Sequence, residues 1–185
     1  MGTDMDGRVQ VRPGGPGTPW ADADLDVGGI PRSYEAFGLL FGVRNVAGFV
    51  PVAPARGIPG DAGADVLAAA HRFDDHYEHS WVTWAELDRI DWDRPAPVVN
   101  AWLSRYRVTA GRLVRVGKGG WTPPDADPAE GAEWRDGDVV WRAERAVPRE
   151  ILDDLPELRH RLDGMRALAG KHGGDNVRMI VWFYG

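Results

Sequence analysis

The fold is decided by the last apolar run of the chain, Val177-Arg178-Met179-Ile180-Val181-Trp182-Phe183-Tyr184. Its β-branched and aromatic residues predict a β-strand. Apolar side chains occupy consecutive positions, so both faces of this strand are expected to be covered and the strand to be central in its sheet. Residues 8–12 alternate polar and apolar side chains before a Pro-Gly-rich turn, which predicts a second strand beside the first.

Between these two strands, helical and strand-like patterns follow one another along the chain. Ser33 is a candidate N-cap and Gly42 a candidate stop for one helix, and Thr83 and Glu86 have the spacing of a capping box for another. Helical patterns cover 33–42, 61–73, 83–91, 98–106 and 156–170; strand patterns cover 112–116 and 139–146; loops are predicted at 21–32 and 117–137. This order predicts an α+β fold with one domain over 1–185. Its central sheet is antiparallel or mixed, with adjacent terminal strands and helices packed against it.

The composition excludes several classes of protein. Among the 185 residues there is no cysteine, which excludes disulfide scaffolds, thiol nucleophiles and cysteine-ligated metal sites. A net charge of −6 argues against a protein that binds nucleic acid through bulk positive charge. The acidic start lacks the pattern of a signal peptide, and the apolar runs are too short to span a membrane. We therefore expect a cytoplasmic protein with no membrane or nucleic-acid partner.

The densest group of chemically competent residues lies at 71–81. Three of the five histidines are there, and His79 is the candidate general base because carboxylates surround it in sequence. If the helix of 61–73 continues, His79 shares a face with His76 and with Asp75, so these three are the candidate ligands of a divalent metal. The segment lacks the companion residues of an HExxH signature, and a solvated helix end explains the same charges. No other cofactor is indicated.

Other candidate site residues lie on separate stretches of the chain. Asp4 and Asp6 share one face of the first strand, where two carboxylates can bind a cation or share a proton, although a solvated terminus has the same pattern. Arginines near small apolar loops are candidate anion anchors, and aromatic side chains line many ligand pockets. The candidate substrate-binding residues are Arg44, Asn45, Arg56, Tyr77 and Trp81. Ordinary surface arginine and core packing are the alternatives for this group.

Several segments, taken in order, resemble a family of small uncharacterised proteins of actinobacteria and their phages. That family opens with a Met-Gly-Cys-Asp-Ile-His strand, then has an Asn-Tyr-x-Leu-Phe helix before Val-Arg-Asn, an Arg-Gly-Leu-Pro stretch, a His-Ser-His-Ser-Trp segment and a closing aromatic strand. The counterparts here are 1–6, 33–45 (SYEAFGLLFGVRN), 56–59 (RGIP), 78–87 (EHSWVTWAEL) and 177–183 (VRMIVWF). Residues 90–175 have no counterpart.

This chain departs from the family at three polar positions. Thr3 stands where the family has Cys, and Asp6 and Tyr77 stand where it has His. The resemblance implies that the first strand, the turn at 44–45 and the segment 79–81 meet in space. It supplies no mechanism, and the departures weaken the expectation of a metal site.

The leading functional hypothesis is an enzyme acting on a small molecule, such as a hydrolytic or tailoring step in specialised metabolism. In it His79 is the general base or ligand, Asp4 and Asp6 are orienting or metal-binding carboxylates, and Arg44 is the anion anchor. The alternative is a non-catalytic interaction protein, such as a phage-related accessory factor, that uses a Trp-rich surface or the 117–137 loop. A small-molecule site requires a concave pocket with convergent polar groups, whereas a protein interface requires an exposed apolar patch. The sequence leaves the substrate and the oligomeric state open.

Overall fold

The computed structural model describes residues 2–121 and 128–185, and within them the chain forms two four-stranded antiparallel sheets together with helices. The first sheet has the order β2-β1-β8-β3 and the second the order β5-β4-β7-β6. The strands are β1 Asp4–Val11, β2 Ala21–Asp26, β3 Tyr77–Thr83, β4 Trp102–Thr109, β5 Arg112–Trp121, β6 Glu133–Asp136, β7 Val139–Arg142 and β8 Val177–Tyr184. The helices are α1 Tyr34–Phe41, α2 Ala64–Ala70, α3 Trp84–Leu87, α4 Pro148–Asp154 and α5 Pro156–His172, and a 3₁₀ turn spans Gly174–Asn176.

Strand β8 lies at the centre of the first sheet, between β1 and β3. Val181 and Phe183 face the main core, which is completed by side chains of α1, α4 and α5. On the opposite face Ile180 and Trp182 are also buried, and the ring of His76 stacks on Trp182. The prediction of a central strand covered on both faces, with the first strand of the chain as its neighbour, is therefore confirmed. The α+β class is confirmed as well.

Local capping signals fix the ends of two helices. The Ser33 hydroxyl accepts from the Ala36 N–H at the start of α1, and Gly42 ends that helix in the left-handed conformation that glycine adopts without strain. At α3 the Thr83 and Glu86 side chains form the expected reciprocal capping box. These predictions held because each depends on a few adjacent residues. None of the helices in the described residues has the length and apolar character needed to cross a bilayer.

The predicted helix at 98–106 is wrong, because the chain there enters strand β4 at Trp102. Ala110 and Gly111 both have positive φ and close a hairpin between β4 and β5, which fixes the pairing of Val108 with Leu113. The helical spacing of apolar residues in this stretch was fortuitous. Pairing with β5 and β7 on either side satisfies the backbone of β4 and overrides it.

Two predicted loops contain strands. The stretch 21–32 includes β2, an edge strand whose acidic side chains face solvent. In the predicted 117–137 surface loop, β5 continues to residue 121 and β6 begins at Glu133, while 122–127 lie outside the described residues. Glycine is frequent at 117–120, and glycine weakens the strand signal of a sequence without preventing pairing.

A buried ion pair joins the second sheet to the helical layer of the first. Lys118 on β5 donates to both carboxylate oxygens of Glu35 on α1, at 2.6 and 2.8 Å. The Asn100 side-chain amide donates to the same carboxylate, and the Glu35 and Lys118 side chains are only 9% and 12% exposed. Charges removed from water this far must be paired and hydrogen-bonded, so this contact fixes how the two sheets meet.

Candidate functional site

A β-bulge in β3 decides which side chains reach the end of the first sheet. Tyr77 pairs with Phe183 and Ser80 pairs with Val181, so β3 carries one residue more than β8 between these pairs. The extra residue places Tyr77 on the core-facing side together with Ser80, whereas strict alternation would put them on opposite faces. Glu78, inside the bulge, has φ of 47°. The condition under which His76, His79 and Asp75 would share a helix face is therefore not met, because α2 ends at Ala70 and β3 follows it.

The reoriented Tyr77 completes a polar cluster with residues from two distant segments. Its hydroxyl lies 2.7 Å from the Thr3 hydroxyl, and Arg44 Nε donates to the same Thr3 oxygen at 3.1 Å. The Thr3 N–H donates to the Tyr34 hydroxyl at 3.2 Å, and Thr3 itself is fully buried. The start of the chain, the 44–45 turn and the beginning of β3 thus meet at one point.

This cluster borders a hollow of about 490 Å³, which we call the Arg44 pocket. The pocket is lined by Gly42, Val43, Arg44, Tyr77, Glu78 and Gly185. Arg44 has φ of 49°, so two non-glycine residues with left-handed backbone, Arg44 and Glu78, lie on the same pocket. Such conformations cost about 1–3 kcal/mol each and cluster at functional sites.

Charges of both signs face the Arg44 pocket without pairing. Arg44 is exposed and only its Nε is engaged, because its terminal nitrogens make no hydrogen bond or ion pair with any residue of 2–121 or 128–185. Glu78 is also exposed and its carboxylate has no ion-pair partner in the same ranges. The Nε bond to Thr3 fixes one edge of the guanidinium and leaves the planar fork of donors free for a carboxylate or phosphate.

Neither of the two N-terminal aspartates lines the Arg44 pocket, and both are engaged elsewhere. Arg32 donates to both oxygens of Asp4, and this hydrogen bonding holds the pKa of Asp4 below its ordinary value. Asp6 Oδ1 accepts from the Gly7 N–H at 2.7 Å. Burial, reinforced by the Asp4 and Asp6 carboxylates, raises the pKa of Tyr184. The aspartates and His79, which were predicted to share a site, make no contact with one another in the described residues.

The histidines gather at the end of α2 instead. Both His76 Nδ1 and His79 Nε2 face the Ala70 carbonyl oxygen, at 2.9 and 3.2 Å, so each of these nitrogens is the donor. The rings of His71 and His79 lie 5.4 Å apart. Asp75 is exposed, and within the described chain no three histidine, aspartate or glutamate side chains converge as a metal site requires. The structure therefore does not bring His76, His79 and Asp75 together as ligands.

Two other predicted substrate-binding residues, Asn45 and Arg56, use their polar groups within the fold, and the ring of a third, Trp81, packs against Arg56. The Asn45 side chain closes a turn through two hydrogen bonds with the backbone of Phe49. Arg56 donates to both oxygens of Glu86 and to backbone carbonyls, and its guanidinium lies over the ring of Trp81. These contacts hold the 45–56 segment against β3 and α3 and thereby position Arg44. The side chains of Asn45, Arg56 and Trp81 are themselves used in these contacts within the fold.

Sequence reasoning missed Thr3, the buried partner of Arg44, and the residues around it. Thr3 and Tyr34 were not predicted to belong to the site, and neither was Glu78. Thr3 and Tyr77 contact each other directly through their hydroxyl groups. Glu78 could not be predicted, because no sequence pattern marks the bulge of β3 in which it lies.

Comparison of the chain with models of known families, with curated proteins and with solved structures finds no match.

Proposed function

We propose that this protein acts on a small molecule carrying a carboxylate or phosphate group, which it binds in the Arg44 pocket. The observation that carries the proposal is the state of Arg44: its backbone is strained, Thr3 orients its guanidinium, and its terminal nitrogens have no partner within the described residues. A structural arginine would use those donors, as Arg56 does. An arginine held in one orientation with free donors is suited to an anion.

Glu78 narrows the class of ligand. Its carboxylate borders the same pocket as Arg44 but forms no ion pair with it. A molecule with an anionic group and an amino group, such as an amino acid, satisfies both side chains. Tyr77, whose hydroxyl lies 2.7 Å from that of Thr3, lines the same pocket and adds a neutral polar group to it. We therefore favour a zwitterionic ligand over a simple anion.

Arg44→Asn tests the anion anchor with little damage to the backbone, because asparagine tolerates the left-handed conformation. Amide chemical shifts are recorded during titration with glutamate, succinate and inorganic phosphate. We expect the amides of 42–44 and 77–78 to shift with glutamate, and Arg44→Asn to weaken that binding by about tenfold or more. Arg72→Asn, which removes an exposed arginine elsewhere, is the matched control. If Arg44→Asn binds every probe as the wild type does, the proposal is wrong.

Catalysis by His79 is the second candidate. The His79 ring lies at the end of α2, on the face of β3 opposite to Tyr77, and His79 does not line the Arg44 pocket. Because Nε2 donates to the Ala70 carbonyl, the neutral form of His79 carries its lone pair on Nδ1, where a general base would accept a proton. His79→Ala is tested for turnover of p-nitrophenyl esters and for glutamate binding. Loss of turnover with binding retained supports an enzyme; turnover within about twofold of wild type contradicts this role.

A further inference from the structure

A second hollow lies between the loop that follows α1 and the loop that follows α3. Its volume is about 620 Å³, within the range of ligand pockets. Leu39, Phe49 and Val52 line it from the α1 side, and Ile90 and Ala96 from the α3 side. We call it the 89–97 groove. It shares no lining residue with the Arg44 pocket.

The rim of the 89–97 groove carries more unpaired positive charge than negative. Arg89 and Arg94 are both exposed, and neither side chain has a hydrogen-bond or ion-pair partner in the ranges that the structure describes. The other charges on the rim are engaged. Glu86 pairs with Arg56, Arg145 pairs with Glu130 at 2.9 Å, and Asp91 Oδ1 accepts from the Asp93 N–H.

The apolar wall reaches the surface at the same place. Val50 lines the groove and is 78% exposed, the highest exposure among the large apolar side chains that the structure describes. An aliphatic side chain in that position gains nothing from water, and a ligand tail lying against it removes the exposed area. The groove therefore offers an apolar floor and lip with two free guanidinium groups beside them.

We propose that the 89–97 groove binds a single-chain aliphatic molecule with an anionic head, the tail lying along Leu39, Val52 and Ile90 and the head on Arg89 and Arg94. Carboxylate and phosphate heads share this chemistry, since guanidinium groups bind both. The inference is independent of the Arg44 pocket, because a different cavity and different arginines carry it.

Titration calorimetry with decanoate, decyl phosphate, decanol and acetate tests both halves of the ligand. We expect the two anionic amphiphiles to bind, with decanol and acetate at least about tenfold weaker because each lacks one half. The tighter of decanoate and decyl phosphate identifies the head group. The double variant Arg89→Ala/Arg94→Ala should weaken both anionic probes by about tenfold or more. The matched double variant Arg72→Ala/Arg112→Ala, which removes two exposed arginines elsewhere, should stay within about twofold of wild type.

Val50→Asp supplies a second test that does not depend on removing charge from the rim. Its side chain is exposed, so the fold should be retained, while a carboxylate at the lip should repel an anionic head and weaken decanoate binding. The proposal is overturned if neither amphiphile binds. It is also overturned if the Arg89→Ala/Arg94→Ala variant binds them as tightly as the wild type does. Self-association that is lost in Val50→Asp would instead assign the groove to a second copy of the chain and would also overturn it.

Discussion

The two sheets of this protein differ in how much of their apolar surface is buried. In the first sheet β8 is buried along nearly its whole length and belongs to a core with side chains from α1, α3, α4 and α5. In the second sheet the β4–β5 hairpin exposes four aliphatic side chains, Val108, Leu113, Val114 and Val116, each between 38% and 46% accessible. The first sheet thus contributes most of the hydrophobic stabilisation, and the second depends on polar attachment.

The largest effect on the free energy of unfolding should come from a substitution that leaves a cavity in the core of the first sheet. Phe183 is fully buried and makes edge-to-face contacts with Phe37 and Phe41, at ring distances of 5.2 and 6.0 Å. Phe183→Ala should lower the free energy of unfolding by about 3–5 kcal/mol in urea denaturation. Val114→Ala, on the exposed hairpin, should change it by less than about 0.5 kcal/mol. Equal effects would show that the hairpin contributes as much as the core.

If Phe183→Ala fails to fold, Phe183→Leu preserves most of the volume and should cost less than about 1.5 kcal/mol. The Leu variant then carries the comparison with Val114→Ala.

Breaking the ion pair between the two sheets should have the next largest effect on the free energy of unfolding. Lys118→Met leaves the buried Glu35 carboxylate without its cation, and breaking a buried pair in this way costs about 3 kcal/mol. The double variant Glu35→Gln/Lys118→Met removes both charges and should recover much of that loss in the same urea assay. Arg149→Met, which breaks the exposed Arg149–Asp93 pair, is the control and should leave the midpoint within error. A Lys118→Met protein as stable as the wild type would mean that this pair does not hold the sheets together.

The same contrast explains which elements the sequence could predict. The composition of β8 indicates a strand, and the caps at Ser33 and Thr83 depend only on neighbouring residues, so these elements were predicted correctly. Strand β4 was not, because Trp102, Leu103 and Tyr106 suit either period and the decision rests on pairing with distant strands. Local signals are reliable where the nearby chain supplies the partner, and they fail where the partner is remote in sequence.

The candidate site divides in a similar way. Arg44 and Tyr77 were predicted as binding residues and do line one pocket. Their meeting depends on the bulge in β3, whose single extra residue no periodicity reveals. The predicted histidine cluster assumed a helix in that segment, and a strand sends the His79 ring toward α2. The sequence therefore indicated which residues could bind a ligand. The directions of their side chains depend on the strand register, which the sequence does not give.

The smallest effect concerns acid stability, and it compares an inner ion pair with an outer one. Burial raises the pKa of Glu86, but hydrogen bonds from Arg56 and Thr83 outweigh burial and bring the net pKa below the ordinary 4.5. The folded state therefore favours the charged carboxylate, and this contribution to stability is complete above pH 4.5 and is lost as the pH falls through the lowered pKa. Glu86→Gln keeps the capping geometry but loses the charge.

Unfolding free energies measured between pH 7 and pH 3 check this expectation. Glu86→Gln should be less stable than the wild type by about 1 kcal/mol at pH 7, and the difference should narrow as the pH falls below 4.5 and through the lowered pKa of Glu86. Arg149 lowers the pKa of Asp93 in the same direction, but that pair is at the surface, with side chains 57% and 69% exposed, and is screened by salt. Asp93→Asn should therefore show a smaller pH-dependent difference, which disappears at high ionic strength. If salt removes the Glu86 difference as completely, the Arg56–Glu86 pair behaves as a surface pair.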